Sequence, residues 1–148
     1  MECVVKWACG DSMTFLAETG SGHLVGMDGA PEAGGRNLAP RPMELMLAGA
    51  GGCTAFDVVL ILRKSGQNVS GCEVKLAAER AETDPKVFTR IHMHFVVKGR
   101  GLAPEKVERA IALSVEKYCS ASAMIAKTAT ITHNFEVVDA TATEAVTR

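Results

Sequence analysis

The sequence predicts an α+β domain in which a mostly antiparallel sheet packs with a long, buried central helix and a second helix. Residues 42–66, the longest apolar run, predict the central helix because they show no β-type alternation. Strands are predicted on both sides of it, since apolar and polar residues alternate within residues 2–27 and again within residues 72–98. Strands, a helix, more strands, a second helix and a last strand form an order typical of the α+β class.

Three short strands open the chain. The alternation covers residues 2–8, 12–18 and 23–27, and turn residues separate these segments, so we expect an antiparallel meander. Residues 29–42 contain three prolines and three glycines. This composition predicts a loop that delivers the chain to the central helix.

The central helix is predicted to begin at Pro42 and to stop at Gly66. Proline suits the first helical position, and glycine suits the left-handed residue that ends a helix. The run is apolar enough to suggest a membrane span, but Glu44 and Asp57 lie inside it. Because a carboxylate at the centre of a span costs about 2.5–3.5 kcal/mol, we expect a core helix with most of its faces buried.

Three glycines stand just before Cys53 in this helix. Gly49, Gly51 and Gly52 each cost about 1 kcal/mol relative to alanine in a helix interior. Close approach of a neighbouring element would offset that cost. Room left beside the thiol for a substrate or a second chain would also explain them, and the sequence leaves both explanations open.

The second half of the chain predicts a hairpin, two helices and a last strand. The hairpin turns through a Thr-Asp-Pro-Lys segment, and Pro104 opens a helix with an amphipathic apolar stripe. The predicted elements are strands at 72–82 and 87–98, a helix from 104 to near 119, a short helix at 120–127 and a strand at 130–138.

Composition narrows the function classes. The 148 residues predict one domain over 1–140 and a loose tail at 141–148. A net charge of −1 and 5% aromatic residues do not provide the basic, stacking surface of a nucleic-acid binder. The N-terminus lacks the pattern of a secretory signal, so we expect a cytoplasmic protein. None of the five cysteines has zinc-site spacing, which leaves inert core thiols or thiol chemistry in a reducing compartment.

The candidate reactive residues lie in or just before the central helix. A buried cysteine such as Cys53 is most often a small core residue. Asp57 follows one turn later on the same face, where a carboxylate raises a thiol pKa, so we expect it to be structural or paired with a cation. Glu44 fits a first-turn acid that stabilises the helix start. Arg36 and Arg41, in the preceding loop, are candidates for the positive charge that a reactive thiolate requires.

Two histidines alternate on one predicted strand. His92 and His94 are spaced so that they share a strand face, and such a pair can chelate a metal. No third ligand is evident near them in the sequence, and zinc needs three or four. We therefore expect a solvated strand face rather than a metal site.

Three segments carry a family resemblance: PMELMLAGAGGCTAFDVVLILRKSG, SVEKYCSASAMI and ITHNFEV. They resemble the OsmC/Ohr family of thiol peroxidases, and most of all its OsmC-like branch. The resemblance implies an intertwined homodimer with active sites at the subunit interface, and no metal or organic cofactor. It implies that Cys53 is the peroxidatic cysteine that attacks an organic hydroperoxide. Cys119 would be the resolving cysteine, and a dithiol or a lipoylated protein the reductant.

Two positions depart from the family pattern. Met43 stands where the family places a glutamate, with Glu44 one residue later, and no arginine precedes Arg36. Glu44, Arg36 and Arg41 are therefore the candidate activating or orienting residues. Two functions follow as hypotheses. One is a cytoplasmic, homodimeric thiol peroxidase that binds neither nucleic acid nor a membrane, and the other is an OsmC-like redox-sensing or small hydrophobic ligand-binding protein.

Overall fold

A computed structural model of the chain describes residues 1–8 and 10–140. The predicted loose tail at 141–148 lies outside the described residues, as does Cys9. The chain divides into two compact units, Met1–Ala48 and the part from Gly49 onward. The prediction of a single domain over 1–140 stays a prediction.

The first unit contains the predicted meander. Its strands are β1 (Cys3–Trp7), β2 (Phe15–Thr19) and β3 (Leu24–Met27). They form one antiparallel sheet in the order β1-β2-β3. The proline- and glycine-rich loop that follows holds a short 3-10 turn, Pro31–Ala33, as a connecting segment.

One buried carboxylate organises this loop. Asp28 is 1% exposed, and its oxygens accept the backbone N–H groups of Gly29, Arg36 and Leu38 at 2.8, 3.0 and 3.0 Å. The hydroxyl of Thr14 donates to it at 3.4 Å. These donors, that of Leu38 above all, hold the pKa of the Asp28 carboxyl below its ordinary value of 3.8, although burial opposes them. The loop is therefore ordered around a negative charge.

The long helix α1 (Pro42–Lys64) begins and ends where the sequence predicts. Gly66 follows it with a φ of 74°, the left-handed conformation expected of a glycine stop. The second unit contains three strands: β4 (Asn68–Arg80), β5 (Phe88–Arg100) and β6 (Thr130–Asp139). Strand β5 is central, antiparallel to β4 and parallel to β6.

The remaining helical segments join β5 to β6. They are α2 (Pro104–Leu113), a π-helical turn (Ser114–Tyr118) and α3 (Ser120–Ile125). The predicted helix from 104 to near 119 is thus helical over its predicted length, as an α-helix to Leu113 and as a π-helical turn from Ser114 to Tyr118. The predicted α+β class is confirmed.

Strand β5 has one buried apolar face and one face that carries polar side chains. The side chains of Ile91, Met93, Phe95 and Val97 are fully buried on one face. On the opposite face His92 and His94 are half-buried and pair across to β6, with Nδ1 contacts of 2.8 Å to Thr132 Oγ1 and 2.7 Å to Asn134 Oδ1 respectively. The two histidines therefore contribute to a polar ladder between strands.

Helix α1 is covered on one stripe by its own chain. The buried stripe consists of Ala50, Gly51, Thr54, Val58 and Leu62. By contrast, Phe56 is 68% exposed and Leu60 is 38% exposed. By length and composition α1 could cross a membrane. Within the chain, 28% of its most apolar stretch of 18 residues is buried. The sequence predicts burial on most faces, whereas the described residues cover one stripe of α1 and leave Phe56 and Leu60 on a second, exposed apolar face.

The structure explains one of the three helix glycines. A Cβ on Gly51 would lie 2.7 Å from the Cδ1 atom of Leu76, so β4 approaches the helix closely at this point. A Cβ on Gly49 or Gly52 would meet nothing within 4 Å. Close approach within the chain therefore accounts for Gly51, and the other two glycines lie in open space.

Candidate functional site

Cys53 and Asp57 lie one helical turn apart on α1. Their i, i+4 spacing places both side chains on the same face of the helix, as the sequence predicts. Both are half-buried, which leaves them partly accessible to solvent. The helix therefore presents a thiol and a carboxylate side by side.

Cys119 is brought to this face by the segment between α2 and α3. The π-helical turn ends at Tyr118, and Cys119 then adopts an extended conformation with φ −71° and ψ 105°. From this position it caps α3, because its Sγ accepts the N–H of Ser122 at 3.4 Å. The side chain is 2% exposed.

Three side chains converge as a result. The Sγ atoms of Cys53 and Cys119 and a carboxylate oxygen of Asp57 all lie within 4.8 Å of one another. Both cysteines are free thiols. We call Cys53, Asp57 and Cys119 the thiol cluster.

The thiol cluster raises the pKa of Cys53. The hydrogen bond with the Cys119 thiol is the largest cause, followed by burial, and the negative charge of Asp57 adds to both. The backbone N–H of Ala121 donates to Cys53 and acts in the opposite direction. The prediction that Asp57 raises the thiol pKa agrees with this arrangement.

Ser114 holds the cluster together and was not predicted from the sequence. Its buried hydroxyl lies 3.2 Å from the carbonyl oxygen of Thr54 and 3.3 Å from Asp57 Oδ2. It thereby ties the π-helical turn to α1 and orients the carboxylate. The sequence does indicate a buried role for Ser114. This residue falls seven positions after Val107, on the apolar stripe of its helix, where a hydroxyl needs a buried partner.

The predicted activating residues have local partners in the first unit. The guanidinium of Arg36 forms an ion pair with Asp11. Glu44 Oε2 accepts the backbone N–H of Arg41 at 2.9 Å, which is the carboxylate half of a capping box at the start of α1. The interpretation of Glu44 as a first-turn acid thus has a matching contact. These three residues belong to the unit that ends at Ala48, and the thiol cluster belongs to the other.

An apolar groove runs along the exposed face of α1. Its volume is about 360 Å³, and its lining includes Gly52, Phe56, Leu60 and Cys72. Cys72 lies on β4, and burial alone raises the pKa of its thiol. The groove is therefore lined by a half-buried thiol that is separate from the thiol cluster.

Known proteins match this chain over most of its length. Residues 34–134 match the family model described as OsmC-like protein. The protein YhfA of Escherichia coli K12 is 51% identical over 140 residues, which cover 95% of this chain and all of YhfA. A solved structure of a hypothetical protein from Aquifex aeolicus is 30% identical, with a TM-score of 0.77 over 94% of this chain and 98% of its own.

A more distant solved structure shares the fold. It is an organic hydroperoxide resistance protein OsmC from Legionella pneumophila, 19% identical, with a TM-score of 0.66 over 93% of this chain and 98% of its own. At this identity the likeness concerns the fold alone. The family match and the relatives of 30% identity or more carry the conclusion that this chain belongs to the OsmC-like protein family.

Proposed function

We propose that this protein is a thiol-dependent peroxidase that reduces organic hydroperoxides through Cys53 and Cys119. The observation that carries the proposal is the approach of the two sulfurs, which come from positions 66 residues apart and lie within 4.8 Å of each other. This approach supports the proposal because a disulfide must later join a peroxidatic and a resolving thiol, which requires their Cα atoms to come within about 7 Å. No local sequence pattern requires the contact.

The proposed cycle begins with the Cys53 thiolate. It attacks the outer oxygen of the hydroperoxide, so that an S–O bond forms, the O–O bond breaks and the alcohol leaves after taking up a proton. Cys53 is then a sulfenic acid. The Cys119 thiolate attacks its sulfur, which forms the disulfide and releases the oxygen as water after protonation. A dithiol, such as a lipoylated protein, reduces the disulfide by thiol exchange.

The surroundings of the thiols support an organic rather than a small polar substrate. Cys53 lies on an apolar helix beside three glycines, two of which have open space where a side chain would be. The Legionella pneumophila protein that shares the fold carries the name organic hydroperoxide resistance protein. The proposal extends that name's chemistry to this chain, with no metal or organic cofactor in the catalytic cycle.

The proposal includes a cytoplasmic homodimer that binds neither a membrane nor nucleic acid. The apolar face of α1, including Phe56 and Leu60, supports the dimer, because a second copy would cover a face that the described part of the chain leaves exposed. Sedimentation at low micromolar concentration should give a dimer, and Phe56→Glu should dissociate it. A wild-type monomer would contradict this proposal.

Turnover with a model peroxide tests the activity directly. The reduced protein should consume cumene hydroperoxide catalytically when a dithiol such as dihydrolipoamide is present. Without the dithiol, one equivalent of peroxide should yield a Cys53–Cys119 disulfide, detected by peptide mapping under non-reducing conditions. Peroxide that leaves Cys53 reduced, or that joins Cys53 to Cys72, would overturn the assignment.

The raised pKa of Cys53 favours a second function. A thiol with little thiolate at neutral pH reacts slowly, as expected of an OsmC-like redox sensor or a binder of small hydrophobic ligands. Stoichiometric oxidation of Cys53 without turnover in the same dithiol assay would support this alternative.

A further inference from the structure

We propose that the thiol cluster binds a zinc ion, with Cys53, Asp57 and Cys119 as its three protein ligands. Each residue offers one ligand atom, and the three atoms lie within 4.8 Å of one another. In a tetrahedral site with Zn–S bonds of about 2.3 Å, the two sulfurs lie about 3.8 Å apart. The cluster therefore needs only a small contraction to coordinate an ion.

The chemistry of the ligands selects the metal. Two thiolates and one carboxylate suit zinc, whereas magnesium and calcium prefer oxygen ligands throughout. Three protein ligands leave the fourth tetrahedral position for water. Cys53 and Asp57 are half-buried, so solvent can reach that position.

Each ligand is also held by a second contact, as metal ligands commonly are. The N–H of Ala121 donates to Cys53, and the N–H of Ser122 donates to Cys119 Sγ at 3.4 Å. The hydroxyl of Ser114 approaches Asp57 Oδ2 at 3.3 Å, which leaves the other oxygen available. These contacts would stabilise both thiolates and orient the carboxylate when an ion is bound.

Coordination involves no oxidation. Each thiol releases its proton to solvent, two Zn–S bonds form, and the carboxylate replaces a water molecule on the ion. Both sulfurs are then unavailable to an electrophile. Zinc binding would protect the thiols and compete with any reaction that needs a free Cys53 thiolate, whether or not the protein is a peroxidase.

Protection from alkylation tests the site in the unmodified chain. One equivalent of Zn²⁺ added to the reduced protein should slow iodoacetamide modification of both Cys53 and Cys119, measured peptide by peptide. Modification of Cys3, which is exposed and outside the cluster, should keep its rate. Equal slowing at Cys3, or unchanged rates at Cys53 and Cys119, would overturn the proposal.

Calorimetric titration with Zn²⁺ then assigns the ligands. Cys119→Ser should weaken binding by about 100-fold or more, since loss of a ligand should exceed the 10–100-fold cost of losing an outer-shell partner. Asp57→Asn should weaken binding less than Cys119→Ser does, because the amide keeps a neutral oxygen that can still coordinate. Ser114→Ala removes an outer-shell partner and should weaken binding by about 10–100-fold. Cys72→Ser is the matched control and should bind like wild type. The proposal fails if Cys119→Ser binds zinc as wild type does, or if Cys72→Ser loses binding as Cys119→Ser does. The titration uses no peroxide, so its failure and that of the peroxidase proposal are distinguishable.

Discussion

Asp28 and Cys53 both receive hydrogen bonds from backbone amides, yet their pKa values shift in opposite directions. Asp28 accepts three backbone N–H groups and faces a hydroxyl, and its pKa is lowered. Cys53 accepts one N–H, from Ala121, but it contacts the Cys119 thiol and lies near the Asp57 carboxylate, and its pKa is raised. The balance of hydrogen-bond donors against burial and neighbouring acidic groups decides the direction in which each pKa shifts. The first arrangement favours the charged carboxylate around which the loop is ordered, and the second favours the protonated thiol over the thiolate.

The largest expected effect comes from removing the thiol of Cys53. Cys53→Ser should abolish peroxide consumption in the dithiol assay, because the sulfur that attacks is gone. Cys72→Ser is the control, since Cys72 is also half-buried and has its pKa raised by burial, but is not part of the thiol cluster. If Cys72→Ser loses activity as well, the cluster is not what makes a thiol reactive here.

Removing only the partner thiol should leave one reaction. Cys119→Ser should consume about one equivalent of hydroperoxide and then stop, because nothing condenses with the sulfenic acid at Cys53. Mass spectrometry should show sulfenic and then sulfinic acid at Cys53. Sustained turnover by this variant would show that the resolving thiol lies elsewhere.

The Asp28 side of the comparison predicts a pH effect on stability. The native carboxyl has a lowered pKa, so the unfolded chain binds more protons as the pH falls through the ordinary value of 3.8. The stabilisation is complete above that value and is lost as the pH falls towards the lowered pKa. Asp28→Asn should reduce the melting temperature by several degrees at pH 7 and should flatten its acid dependence. An unchanged acid limb in thermal unfolding would contradict this role.

Neutralising Asp57 should have a smaller effect, on the thiol rather than on the fold. Asp57→Asn removes a negative charge that raises the pKa of Cys53, so more thiolate is present at pH 7. Alkylation of Cys53 should become modestly faster, and its rate should rise with pH at a lower pH than in wild type. Cys72 in the same sample is the internal control. A slower rate would mean that Asp57 assists the thiolate.

The smallest effect is expected from the two loop arginines. If either guanidinium lowers the pKa of Cys53, Arg36→Ala or Arg41→Ala should slow alkylation at neutral pH. The change should be slight for Arg36, since its charge is already paired with Asp11. Rates that match wild type in both variants would leave the Ala121 amide as the described group that favours the thiolate.

The sequence predicted the elements well, because local chemistry decides them. Helix α1 has the predicted bounds, since a proline starts it and a glycine at positive φ stops it. The hairpin strands differ from prediction by a few residues at their ends, where alternation gives way to turn residues. The end of the second helix was less predictable. The π-helical turn, Ser114–Tyr118, has no distinct side-chain pattern, although it sets the position of Cys119.

The sequence by itself determined which segments are helix and strand, which cysteine lies in the apolar helix, and that Cys53 and Asp57 share a face. Only the tertiary structure decided that Cys119 meets them, that Ser114 orients the carboxylate, and that β6 runs parallel to β5. The physical reason is distance along the chain. Spacing rules reach one or two helical turns, whereas these contacts join residues about 40 to 66 positions apart, and only packing of the whole second unit brings them together.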